Sequence, residues 1–134
     1  MSLYKQFKTD ESFETRGVTL DYGDGVRIRI ARAGGANKKY LRATEKLSRQ
    51  YRNQIRMGTF SGETANKVMQ EVFVETVILG WDGVADAAGN PLPFTKENCL
   101  KLFRDLPALW EDIQEQATSV AIFREAELED AAGN

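Results

Sequence analysis

The chain of 134 residues carries a formal net charge of −2, one cysteine and no histidine, a length suited to one domain with its own apolar core. The missing histidine removes the commonest general base and metal ligand, so histidine-centred triads and the usual zinc sites are excluded within one chain. A single thiol excludes an internal disulfide and suits a reducing compartment, and no apolar run approaches the ~20 residues of a membrane-spanning helix.

Residues 1–16 are polar, show no period and read as a partly mobile lead-in, without the apolar core of a secretion signal. Val18 to Tyr22 and Val26 to Arg32 then alternate around Gly23-Asp24-Gly25. Period two with β-branched residues about such a turn predicts a β-hairpin, with Val26, Ile28 and Ile30 on the core face and Arg27, Arg29 and Arg32 facing water or a partner. Ala33 to Asn37 breaks the strand, and Asn37 is a suitable N-cap. From Lys38 to about Met57, Tyr40, Leu41, Leu47, Tyr51 and Ile55 fall at helical spacing, and Gly58 suits the C-terminal cap.

Ser61 is placed to cap a second helix that runs to about Leu79, the most apolar segment and the expected central core helix, with Gly80 ending it. Residues 81–94 are rich in turn formers and read as a loop. Thr95 caps a short helix through Leu106, and Pro107 opens, at a first-turn position, a last helix that carries Leu109, Trp110, Ile113, Ala117, Val120, Ala121 and Phe123 to about Arg124. Residues 125–134 read as an acidic flexible tail. The fold class expected is α+β, mostly α, with an N-terminal β-hairpin followed by about four helices.

The small net charge hides two opposed blocks. Residues 27–56 hold ten basic residues against one acid, Glu45, while residues 57–134 hold five basic residues against fourteen acids. The helical part of the basic block sets Lys38, Lys39, Arg42, Lys46, Arg49, Arg52 and Arg56 opposite the apolar stripe. Three readings of that face stand open: a solvated surface, a dock for an acidic protein, or a nucleic-acid contact. The acidic pI and the placing of Tyr40 and Tyr51 in the apolar stripe weigh against nucleic acid. A further option is head-to-tail assembly, the basic face of one copy meeting the acidic surface of another.

No catalytic, cofactor-binding or metal-binding residue emerges. In the acidic loop, counting a calcium loop from Asp82 puts Ala87 at the glycine position and Pro93 at the twelfth, and counting from Asp86 puts Pro91 at the glycine position. Neither Gly23-Asp24-Gly25 nor Gly34-Gly35 is followed by Gly-Lys-Ser/Thr, so both are turn glycines. Cys99 stands on a helix without a base and reads as a buried structural thiol.

Five stretches in order resemble the tail assembly chaperones of long-tailed, siphovirus-type bacteriophages. They are Arg32 to Tyr40 after the hairpin, Tyr51 to Ser61, Val77 to Val84 with Asp86 and Gly89, Pro93 to Asn98 with Asp105-Leu106-Pro107, and the final Gly133-Asn134. The resemblance spans roughly residues 15–134, so residues 17–124 form the expected single chaperone domain. It implies a non-virion assembly factor in the cytoplasm of the infected bacterial host. Such a factor binds the tape measure protein, keeps it soluble and helps recruit tail tube protein, in many phages through a frameshifted longer form. It implies no enzyme activity and no cofactor. A chaperone of this kind needs many self-associating copies, each offering an apolar groove with a charged rim. The rim expected is the basic helix of residues 38–56, and the groove lies wherever the helix of residues 63–79 is left uncovered. The competing readings are a small nucleic-acid-binding or regulatory phage protein using residues 27–56, and a histidine-free enzyme that no constellation supports.

Overall fold

The computed structural model describes residues 2–124. They form an α+β domain, mostly helical, with one three-stranded antiparallel sheet. The expected acidic tail, 125–134, lies outside the described residues.

The lead-in is helical. α1 (Leu3–Phe7) is capped by Ser2, and α2 (Glu11–Arg16) by Asp10, whose carboxylate accepts the Ser12 and Phe13 N–H groups. Helices of five and six residues are too short to print a 3.6-residue period, so neither was legible in the sequence. β1 (Val18–Gly23) and β2 (Val26–Ile30) make the expected hairpin. Its two-residue loop has both positive φ angles of a type I′ turn, Asp24 at 54° and Gly25 at 79°.

The helix expected over residues 38–57 is interrupted at Tyr51 (φ −105°, ψ 16°). α3 (Lys38–Gln50) leads into α4 (Arg52–Met57), which Gly58 closes in the left-handed conformation. α5 (Gly62–Thr76), capped by Ser61, ends earlier than the sequence pattern implied. Ile78–Asp82 is instead a strand, β3, antiparallel to β2 and making it the central strand. The run Val77-Ile78-Leu79 has no period of its own, so the free edge of β2 decides its conformation. Ala31 N–H donates to the Val77 carbonyl (2.8 Å) and Ile78 pairs with Ile30. Gly80 therefore sits inside a strand, and Leu79 is the extra residue of an irregularity in the register.

Trp81 and Asp82, expected in a loop, complete β3. The Trp81 indole N–H donates to the Leu92 carbonyl (2.8 Å) and its ring meets Phe94 edge-on at 5.0 Å, folding the 83–94 loop back on the sheet. Gly83 lies so close to Gly25 that a side chain there would strike the hairpin backbone. α6 (Lys96–Asp105) follows its Thr95 cap, and α7 (Pro107–Thr118) opens on its proline. The last helix stops at Thr118 and not near residue 124. The chain bends at Ser119 and makes a 3₁₀ turn, Ala121–Phe123, whose Phe123 carbonyl accepts the Asp10 N–H (2.9 Å) and so holds α2.

The sheet's inner face and helices α5, α6 and α7 enclose the core. At its centre Trp110 meets Phe73 (4.9 Å, 79°) and Phe103 (5.0 Å), and its indole N–H donates to Asn66 (2.6 Å). Two buried polar groups tie the elements together. The Glu14 carboxylate accepts from Arg32 (2.6 Å) and Thr9 (2.8 Å). The Asn37 amide donates to the carbonyls of Arg32 (2.8 Å) and Thr76 (2.9 Å), while its oxygen caps α3 at Tyr40. Asn37→Ala leaves both carbonyls without that donor and removes the cap, so it is expected to lower the unfolding free energy by ~2–4 kcal/mol in urea titration. Asn37→Asp, which caps but donates nothing, is expected to recover little of that loss.

Candidate functional site

The seven cations singled out in the sequence are all exposed. The structure places Lys38, Lys39, Arg42, Lys46 and Arg49 on α3, with Arg52 and Arg56 on α4 beyond the Tyr51 break. Arg49 lies 4.0 Å from Glu45, with both side chains well exposed, and Arg56 donates to Asn53 (3.0 Å). Among the described residues the other five make no ion pair. The hairpin arginines behave differently. Arg27 lies 4.0 Å from Asp21 and is in register with Asp82, Arg29 donates to the Arg16 carbonyl (2.7 Å), and Arg32 is drawn inward by Glu14. The basic surface is therefore helical, and narrower than the basic stretch of sequence.

The flank of α3 that carries Lys46 borders a groove. α3, α5 and α6 surround a cavity of about 450 Å³, floored by Leu47, Val68, Val72 and Leu100. Its rim is charged on both sides: Lys46 on α3, Glu71 and Glu75 on α5, and Lys96 on α6. Lys96 and Glu75 are paired at 2.6 Å across the α5–α6 side, more than half exposed. On the other flank of α3 a smaller cavity of about 140 Å³ is lined by Leu47, Ile55, Phe60, Val68 and Met69. Val68 and Leu47 therefore face open space on both flanks.

The uncovered part of the central helix is its N-terminal half. Gln70, Val72, Phe73 and Val74 are buried, whereas Val68 and Met69 are half-buried. Of the seven cations expected to form the rim only Lys46 lines this groove; sequence reasoning missed Glu71, Glu75, Lys96 and the second wall, because Leu100 falls on the core stripe of α6 and nothing in a period reveals a gap between helices. It also missed α1, whose Leu3, Tyr4 and Phe7 are exposed at 71%, 81% and 64%. Tyr40 and Tyr51 are half-buried and make ring contacts with Phe73 (6.0 Å) and Phe60 (4.9 Å) inside the fold, unlike the exposed aromatic platforms on which bases stack.

The acidic loop satisfies itself. The Asp86 carboxylate accepts the N–H groups of Ala88 (3.0 Å) and Asn90 (2.9 Å), an Asx turn, and no cluster of three metal-ligating side chains exists among the described residues. No described helix is long and apolar enough to cross a membrane. Cys99 is fully buried, and burial pushes its thiol up to about 12 from 9.0. At neutral pH it is a shielded, protonated thiol and not a nucleophile. Ellman's reagent is expected to leave Cys99 untouched in the native chain and to titrate one thiol in denaturant. The native state holds this proton more tightly than the unfolded chain does. The thiol's contribution to stability is thus complete below about 9 and lost as pH rises toward 12.

A family model described as YdaY prophage protein matches residues 35–134, which takes in α3 to α7, β3 and the groove but not the hairpin. Neither the curated proteins nor the solved structures gave a significant match.

Proposed function

We propose that this chain, which belongs to the YdaY prophage protein family and is therefore phage-associated, is a tail assembly chaperone that acts by reversible binding and not by catalysis. Its partner is the tape measure protein, which it keeps soluble in the host cytoplasm while tail tube subunits are recruited. The observation that carries this reading is the groove beside α3. An apolar floor with a charged rim, beside a core helix whose Val68 its own chain leaves half-buried, suits an amphipathic helix laid lengthwise. The ordered sequence stretches that resemble tail assembly chaperones support it independently.

A long helical partner presents many similar segments, so each contact needs only modest affinity when neighbouring copies are held on the same strand. Mixed charge on the rim suits that task. Lys46 meets acids and Glu71 meets bases, Lys96 and Glu75 already pair with each other across the rim, and the apolar floor supplies the contact common to all segments.

Co-expression with the tape measure protein of the same phage tests the proposal. The partner is expected to stay soluble and to co-purify with many copies of this chain. Val68→Glu places a charge on the half-buried floor and is expected to cut the co-purified partner at least several-fold, with helical circular dichroism unchanged. An insoluble partner, or equal recovery with Val68→Glu, overturns the reading. DNA binding through the basic face, which weakens steeply with salt, is then the alternative to measure.

A further inference from the structure

Two helices of this fold carry charge of one sign in places where that charge costs stability. On α3, Arg42 stands four residues after Lys38 and four before Lys46, a like-charge row along one side. Lys38 and Lys39 also lie in the first turn, at the positive end of the helix dipole, and that turn contains no acid. On α7 the case is inverted. Glu111, Asp112 and Glu115 are its only charged residues; Glu111 and Glu115 are exposed, four residues apart, and unpaired among the described residues. Glu115 lies toward the negative end of that helix, whose last turn has no base. Only Asp112 is engaged, accepting from the Tyr22 hydroxyl (2.7 Å).

We infer that these two faces are complementary halves of one interface, the α3 face of one copy seating antiparallel on the α7 face of a second copy. Three features coincide in that arrangement. Arg42 and Lys46 share the spacing of Glu115 and Glu111, ~6 Å along each axis, so two opposite-charge pairs form in register. Lys38 and Lys39 come to the C-terminal end of the partner's α7, where carbonyl groups lack a basic neighbour, and the antiparallel dipoles attract. The exposed Leu106, just before α7, comes to the end of α3 from which α4 continues with exposed Ile55 and Met57. The two faces belong to different helices, so the contact is heterologous and each copy keeps one face of each kind for the next.

The interface uses the side of α3 that turns toward Glu75 of α5, where Lys46 also rims the groove, and it leaves the apolar floor open; self-association and partner binding are therefore separate measurements. Its test needs this chain alone. Sedimentation velocity is run at ~0.05 M and ~0.5 M salt, a range over which the screening length shrinks severalfold. The natural chain is expected to associate at low salt, with the apparent Kd raised at least ~tenfold at high salt.

Arg42→Glu with Lys46→Glu, and separately Glu111→Lys with Glu115→Lys, are each expected to sediment as monomers. An equimolar mixture of the two variants is expected to associate again, because each then offers what the other lacks. Circular dichroism confirms that both are folded. A natural chain that stays monomeric at low salt overturns the proposal, as does association that the reversals leave unchanged or a mixture that fails to recover it.

Discussion

The end of β2, the start of α3 and the end of α5 all depend on one side chain, the buried amide of Asn37. Its two N–H donors hold the carbonyls of Arg32 and Thr76, and its oxygen caps the helix that begins beside it. A buried carbonyl without a donor costs free energy comparable to a lost hydrogen bond, so three chain reversals are fixed together. The Glu14–Arg32 pair reinforces the joint from the N-terminal side, where the Arg32 N–H also donates to the Glu14 carbonyl (2.9 Å). Gly35 completes it: with φ at 53° it takes a conformation other residues avoid, and a side chain there would strike the Glu14 carboxylate. Both the groove and the charged face of α3 inherit their position from this joint.

The charges of the molecule divide by what surrounds them. The arginines of β2 and its exit find partners within the fold, on Asp21, on Glu14 or on the Arg16 carbonyl. Most cations of α3 form no such pair, because the positions four residues away along their row hold more cations or uncharged residues, Glu45 excepted. A near-zero net charge thus coexists with two strongly polar faces, a distribution that bears on association more than on the fold.

Much of the fold was legible in the residues. Asn37, Ser61 and Thr95 announced helix starts, Gly58 and Pro107 marked boundaries, and Gly23-Asp24-Gly25 announced the hairpin. Each of these signals is local, which is why it survives without a tertiary context. What stayed hidden depends on distant partners. Ile78 to Asp82 is a strand only because β2 presents an unpaired edge about fifty residues earlier in the chain. α1 and α2 were too short to show a period, and the break at Tyr51 carries no glycine or proline to mark it. The basic face was legible as a helical stripe. The groove was not, because it is a space between three helices and belongs to no single one of them.

The seclusion of Cys99 has a practical side. It is the chain's sole sulfhydryl, and it lies fully buried within the core. A cysteine placed by substitution on α7 or at the groove rim is then the one site open to a maleimide dye or nitroxide. Distances between copies, or between this chain and a bound helix, become readable by spectroscopy without first rebuilding the natural sequence.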